Sequence, residues 1–142
     1  MILLDTNVLI DAREPASPYR RWAEEVIAEG LAANAIGLNA IVLAELCVGQ
    51  NNPEAVQADL EARGLVVVDV PVAAAALCAR AYTRYLLARR KSGGGKAPSV
   101  PLPDFFIGAH AELMGWKLAT RDVERYPTYF PAVELVEPAT VS

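Results

Sequence analysis

Four carboxylates stand inside apolar segments or at their ends: Asp5 after Met1-Ile2-Leu3-Leu4, Glu45 within Ile41-Val42-Leu43-Ala44-Glu45-Leu46, Asp104 after Pro101-Leu102-Pro103, and Asp122 after Leu118-Ala119-Thr120-Arg121. Ionised acids rarely occupy such surroundings unless they are paired or coordinated. Brought together they would raise one another's pKa, whereas a divalent ion keeps them all ionised. No cluster of His or Cys accompanies them, and an all-oxygen donor set suits magnesium or manganese rather than zinc. Such a site activates water and neutralises charge on a phosphodiester, so the chemistry implied is metal-assisted hydrolysis. Singly, each acid has a plainer explanation: Asp5 and Asp104 as helix caps, Asp122 as a turn residue, Glu45 as a solvated helix position. Capping does not account for Glu45 in an apolar helical setting, and the four together favour one shared site.

The elements that must position these acids alternate. Residues 1–4 suit a strand buried on both faces, and Asp5-Thr6-Asn7 turns into a helix that starts near Val8 and is punctuated by Pro15 and Pro18. Ser17 is placed to cap a second helix, through Trp22, Val26 and Ile27 to Gly30. A strand fits Ala35 to Leu38. Asn39 can cap a helix that Gly49 ends, and Pro53 opens another that runs to about Arg63. Leu65-Val66-Val67-Val68 is the clearest strand, and Pro71 to about Lys91 reads as a long helix. Triple Gly makes residues 92–99 a loop. Phe105 to Met114 is helical, Gly115 stops it, Lys117 to Ala119 is a strand, and Val133 to Val136 is an edge strand. This rhythm predicts an α/β fold with a central, mainly parallel sheet of four to five strands and helices on both faces. In such sheets ligands bind beyond the carboxyl ends of the strands, where Asp5 and Asp122 fall.

A chain of 142 residues with 54% hydrophobic content supports one domain, expected over residues 1–137 with a short tail at 138–142. The apolar runs are too short to span a membrane, and the amino terminus is not that of a secretory signal, so a cytoplasmic location is the expectation. The two cysteines, Cys47 and Cys78, read as buried thiols. A formal charge of −4 excludes the globally basic field common in nucleic-acid binders, so contact with nucleic acid must be local.

The ordered motifs Leu4-Asp5-Thr6-Asn7-Val8-Leu9-Ile10, Ala44-Glu45-Leu46, Leu102-Pro103-Asp104-Phe105-Phe106-Ile107-Gly108-Ala109-His110-Ala111 and Leu118-Ala119-Thr120-Arg121-Asp122 resemble the PIN domain. Within that family they look like the VapC toxins of toxin-antitoxin pairs, over residues 2 to about 137. The resemblance implies a Mg2+- or Mn2+-dependent endoribonuclease, leaving a 5′-phosphate and a 3′-hydroxyl, silenced by a cognate antitoxin and acting as a homodimer. Transfer RNA is the implied substrate class. It makes Asp5, Glu45, Asp104 and Asp122 the catalytic quartet. Asp5 and Asp104 are the principal metal ligands, Glu45 and Asp122 ligands directly or through water, and Glu45 a base for the attacking water. Thr6, Asn7 and Thr120 support them. Where some relatives carry a further acid after the last motif, this chain has Arg125 following Glu124. The alternative is a non-catalytic PIN-like module that binds RNA or metal without turnover.

Arg89, Arg90, Lys91 and Lys96 flank the Gly-rich loop before Asp104, and Arg121 adjoins Asp122. They are candidate RNA-phosphate contacts, although Arg89 to Lys91 would equally complement a helix carboxyl end. His110, the single histidine, lies six residues after Asp104 and is turned away from it on a helix, so packing is its expected role. Trp22, Tyr82 and Tyr85 read as packing or partner-surface residues, and Asp11 as a solvated helix acid.

Overall fold

Ile2–Leu4 forms the first strand, β1, with both leucines fully buried. Each contributes roughly 1.5–3 kcal/mol relative to exposure. The computed structural model describes residues 1–93 and 100–139. From β1 the chain runs through α1 (Thr6–Arg13), α2 (Arg20–Ala32), β2 (Ile36–Asn39), α3 (Ala40–Cys47), α4 (Pro53–Ala62) and β3 (Val66–Val68). It continues through α5 (Ala74–Lys91), α6 (Leu102–Met114), β4 (Lys117–Ala119), α7 (Arg125–Tyr129) and β5 (Leu135–Val136). The five strands pair in the order β3-β2-β1-β4-β5, and every pairing is parallel. The α/β fold read from the sequence is therefore the one observed.

The topology has one consequence for function. The chain first steps from β1 outward through β2 to β3, then returns to place β4 on the opposite side of β1. The crevice where the winding reverses lies between the carboxyl ends of β1 and β4, where α/β sheets bind their ligands. Leu4 pairs with Ala119, and the Asp5 amide donates to the Ala119 carbonyl at 3.0 Å. Asp5 and Thr120 thus leave the sheet side by side.

The core joins the buried strand residues to Val8, Leu46, Leu60, Phe105 and Ile107. Helices α5 and α6 meet through aromatic rings: Phe105 lies 5.0 Å from Tyr82 and 5.3 Å from Tyr85, centre to centre. Tyr82 and Tyr85 are therefore packing residues, as expected, and half-buried Trp22 also packs against the core. His110 is buried, with Asn39 Nδ2 3.2 Å from its Nδ1 and Trp116 5.2 Å from its ring centre. Burial lowers its pKa, as suits a neutral packing residue.

Several expectations need correction. Gly30 does not end the second helix but lies inside it, because a Cβ there would fall 2.5 Å from Ile36 Cδ1. Asn34, at φ 54°, takes the left-handed turn instead. Helix α1 begins at Thr6 because Asp5 caps it, and α6 begins at Leu102, a turn earlier than Phe105. Helix α7 was not foreseen. Cys78 is buried, but Cys47 is only half-buried. The Gly-rich loop falls largely on 94–99, outside the described residues, and so does Lys96. No described helix is long and apolar enough to cross a membrane.

Candidate active site

Asp5 anchors the crevice. It is 5% exposed and its φ and ψ are extended, so the carboxylate turns back over the start of α1, where Oδ1 accepts from the Thr6 amide at 2.8 Å. Three side chains donate to Oδ2: Thr120 Oγ1 at 2.8 Å, Asn7 Nδ2 at 3.2 Å and Tyr126 Oη at 3.2 Å. Burial still holds the Asp5 pKa above the ordinary carboxylate value, against the lowering effect of Thr120, Thr6, Arg125 and Tyr126. Oδ2 is saturated, and Oδ1, with one donor, is the oxygen with room for a cation.

The supporting residues named from sequence link the acids. Thr6 Oγ1 donates to Glu45 Oε1 at 3.2 Å, joining α1 to α3. Glu45 lies on the exposed side of α3, and its pKa is raised by desolvation, then by the Asp104 and Asp5 charges. Thr120 Oγ1 also accepts from Asn7 Nδ2 at 3.4 Å and from the Asp122 amide at 3.0 Å, fixing the turn after β4. Asp104 sits half-buried in the first turn of α6, but Pro101 holds the cap position and no side-chain cap bond forms. Capping therefore does not explain Asp104. Its pKa is raised by burial, then lowered by Arg125 and raised by Asp122. Asp122 does perform the turn role considered for it, its Oδ1 accepting from the Arg125 amide at 3.1 Å.

Charge links the four segments in sequence: Glu45 feels Asp104 and Asp5, and Asp104 feels Asp122. Among the described residues, however, no three His, Cys, Asp or Glu side chains form a group that could hold an ion. Two of the acids instead hold Arg125, whose Nη2 is 3.0 Å from Asp122 Oδ2 and whose Nη1 is 3.9 Å from Asp104 Oδ2. The chemistry of the donors, all carboxylate oxygen, suits a hard divalent cation, and burial raises the pKa of Asp5, Glu45 and Asp104 while none is bound.

Two residues of the site escaped the sequence reading, and one was misread. Tyr126, fully buried and donating to Asp5, stands four residues after Asp122; burial and the Asp5 charge push its pKa well up. In the sequence Arg125 marks only a position where some relatives carry an acid. Asp11 is not solvated: it is buried, accepts from Ser17 Oγ at 3.0 Å and pairs with Arg121 Nε at 2.7 Å. Arg121 also lies over Tyr19, 5.0 Å from the ring centre. That anchorage restricts it as an RNA contact, although its side chain is 42% exposed. Arg89 lies 5.8 Å over Tyr85, a residue that lines a shallow pocket with Val100, Asp122 and Arg125. Arg90 and Lys91 are exposed at the end of α5.

Comparison with known proteins agrees with this architecture. The PIN domain family matches residues 2–128, and the chain belongs to that family. Its fold is similar to a chain of DNA-bound VapBC from Salmonella typhimurium, at 24% identity and TM-score 0.65, over 96% of each chain. It is similar to a chain of FitAcB from Neisseria gonorrhoeae, at 23% identity and TM-score 0.64, over 96% of this chain and 97% of that one. A toxin-antitoxin complex from Klebsiella pneumoniae contains another, at 23% identity and TM-score 0.56, over 99% and 100%. At these identities the likeness is one of fold. No curated protein matches the sequence.

Proposed function

We propose that this PIN domain is a Mg2+- or Mn2+-dependent endoribonuclease, the toxin of a toxin-antitoxin pair, acting in the cytoplasm. The observation that carries the reading is the burial of Asp5 at the switch between β1 and β4, with Glu45, Asp104 and Asp122 drawn from three other segments around it. A structural neighbour described as part of a toxin-antitoxin complex, and others described as parts of VapBC, support it.

Asp5 and Asp104 would hold the ion, with Glu45 and Asp122 binding directly or through water. A divalent ion held there would supply Lewis acidity to a water and offset phosphate charge. The donors around Asp5 fix its orientation. Thr6 holds Glu45 by one oxygen, and the raised pKa of that side chain suits it to take a proton from the attacking water. Arg89, Arg90, Lys91 and Lys96 would meet RNA phosphates, with Arg121 a weaker candidate because Asp11 restrains it.

Purified protein should cut RNA with Mg2+ or Mn2+ and stop with a chelator. Asp5→Asn and Asp104→Asn should each lower the rate roughly 100-fold or more while remaining folded. Either variant retaining full activity after careful purification refutes the assignment. Mapping cleaved ends in total RNA tests transfer RNA as the substrate. Co-purification tests the cognate antitoxin, and light scattering tests the homodimer. One observation favours a second reading, a non-catalytic module that binds RNA or metal: Arg125 already bridges two of the acids. Binding without cleavage across substrates would support it.

A further inference from the structure

Arg125 is held at the centre of the acid cluster from both ends. Its backbone amide donates to Asp122 Oδ1 at 3.1 Å, and its guanidinium reaches Asp122 at 3.0 Å and Asp104 at 3.9 Å. Nη2 also donates to Tyr126 Oη at 3.4 Å, and the guanidinium carbon lies 5.0 Å from that ring's centre. The side chain is only 19% exposed. Its charge extends to Asp5 and Glu45 as well, so one cation addresses all four carboxylates. We infer that Arg125 is the resident cation of this cluster and stands in for a second divalent ion, leaving the site to take one Mg2+ or Mn2+.

The inference rests on the metal-dependent reading above and says how many ions that site accepts. A second ion bridging Asp104 and Asp122 would need the oxygens the guanidinium already approaches. It would also face a like charge at a separation of a few ångströms, in a partly buried setting where water screens little. Asp5 Oδ1, Asp104 Oδ1 and the Glu45 carboxylate lie outside Arg125's direct contacts and stay open to a single ion. The Arg125 Nε–H is buried without a protein acceptor, alone in this among the side-chain nitrogens and oxygens of the described residues, so it takes no part in holding the acids.

The test is Mn2+ binding to metal-free protein, followed by calorimetry and by electron paramagnetic resonance, on wild type, Arg125→Asp and Arg125→Gln. Wild type should bind one ion and Arg125→Asp two. Two ions on wild type, or one on Arg125→Asp with unchanged affinity, would overturn the inference. Arg125→Gln keeps a planar side chain without the charge and guards against misfolding of the reversed variant. In chelator its Tm should fall by roughly 3–8 °C, and Mn2+ should restore most of the loss. A merely structural arginine would give a loss that Mn2+ leaves in place, and that result also overturns the inference. Parallel cleavage assays keep the two readings apart. Wild type that cuts RNA with two bound ions overturns this inference alone, whereas wild type that binds no ion and cuts nothing overturns both.

Discussion

Replacing Thr120 by Val tests whether the Asp5 environment is as tightly built as its contacts indicate. Thr120 is fully buried, and Val preserves its shape while removing the hydroxyl. The Asp5 carboxylate loses its 2.8 Å donor, and the Asp122 amide loses its 3.0 Å acceptor. A bond to a charged group is worth about 1.5–3 kcal/mol. The half-buried Asp122 turn recovers part of its loss from water and adds up to about 1 kcal/mol. The expected cost is therefore about 2–4 kcal/mol, or roughly 6–12 °C in Tm for a domain of this size. Metal-free protein should be melted in chelator across a pH series.

The pH dependence carries a sign. Burial holds the Asp5 pKa above its unfolded value, so between the two values the folded state binds more protons. The stability contributed by protonated Asp5 is fully present below the unfolded pKa and is lost as pH rises through the folded one. Without Thr120 the folded pKa rises further. The gap between variant and wild type should then widen as pH rises from the ordinary carboxylate range toward neutrality. A loss below about 1 kcal/mol, or one that is the same from about pH 4 to pH 8, would refute the reasoning.

Three further outcomes follow from the same structure. Mn2+ affinity should fall as pH drops below neutrality, because Asp5, Glu45 and Asp104 all hold protons more tightly than ordinary carboxylates; calorimetry showing equal affinity at about pH 5 and 7 would contradict this. Gly108→Ala would place a Cβ 2.4 Å from Phe130 Cδ2 and should cost about 1–3 kcal/mol, with Phe130→Leu recovering part of the loss in denaturant melts. A double-mutant cycle between Asp11→Asn and Arg121→Gln should return a coupling near 1 kcal/mol, moderate because Arg121 is 42% exposed. Zero coupling would mean that the pair does not tie α1 to the turn after β4.

The sheet, and the placing of Asp5 beside Thr120, were legible because their signals are local. Asp5 directly after an apolar strand and Thr120 at the end of another need only the rule that parallel strands present their carboxyl ends together. Two of the errors came from long-range partners and two from local signals that mislead or are too short. Asp11 on an exposed-looking helix gave no sign of Arg121, which is 110 residues away. Gly30 carries a helix-stop signal, yet its bare Cα is needed for contact with Ile36. Arg125 looked like the loss of an acid because sequence cannot show that Asp104, from another helix, approaches the same guanidinium. Helix α7, five residues with Pro127 inside, is too short for periodicity to reveal.

Because Asp5 sits at the hinge between strand and helix, one of its oxygens serves chain architecture by holding the Thr6 amide. This makes the choice of an inert control matter. Asn is as good at that backbone position as Asp, while Ala forfeits about 1 kcal/mol of local order. A silent Asp5→Ala protein would leave open whether chemistry or shape had failed, whereas a silent but folded Asp5→Asn protein assigns the loss to the missing negative charge.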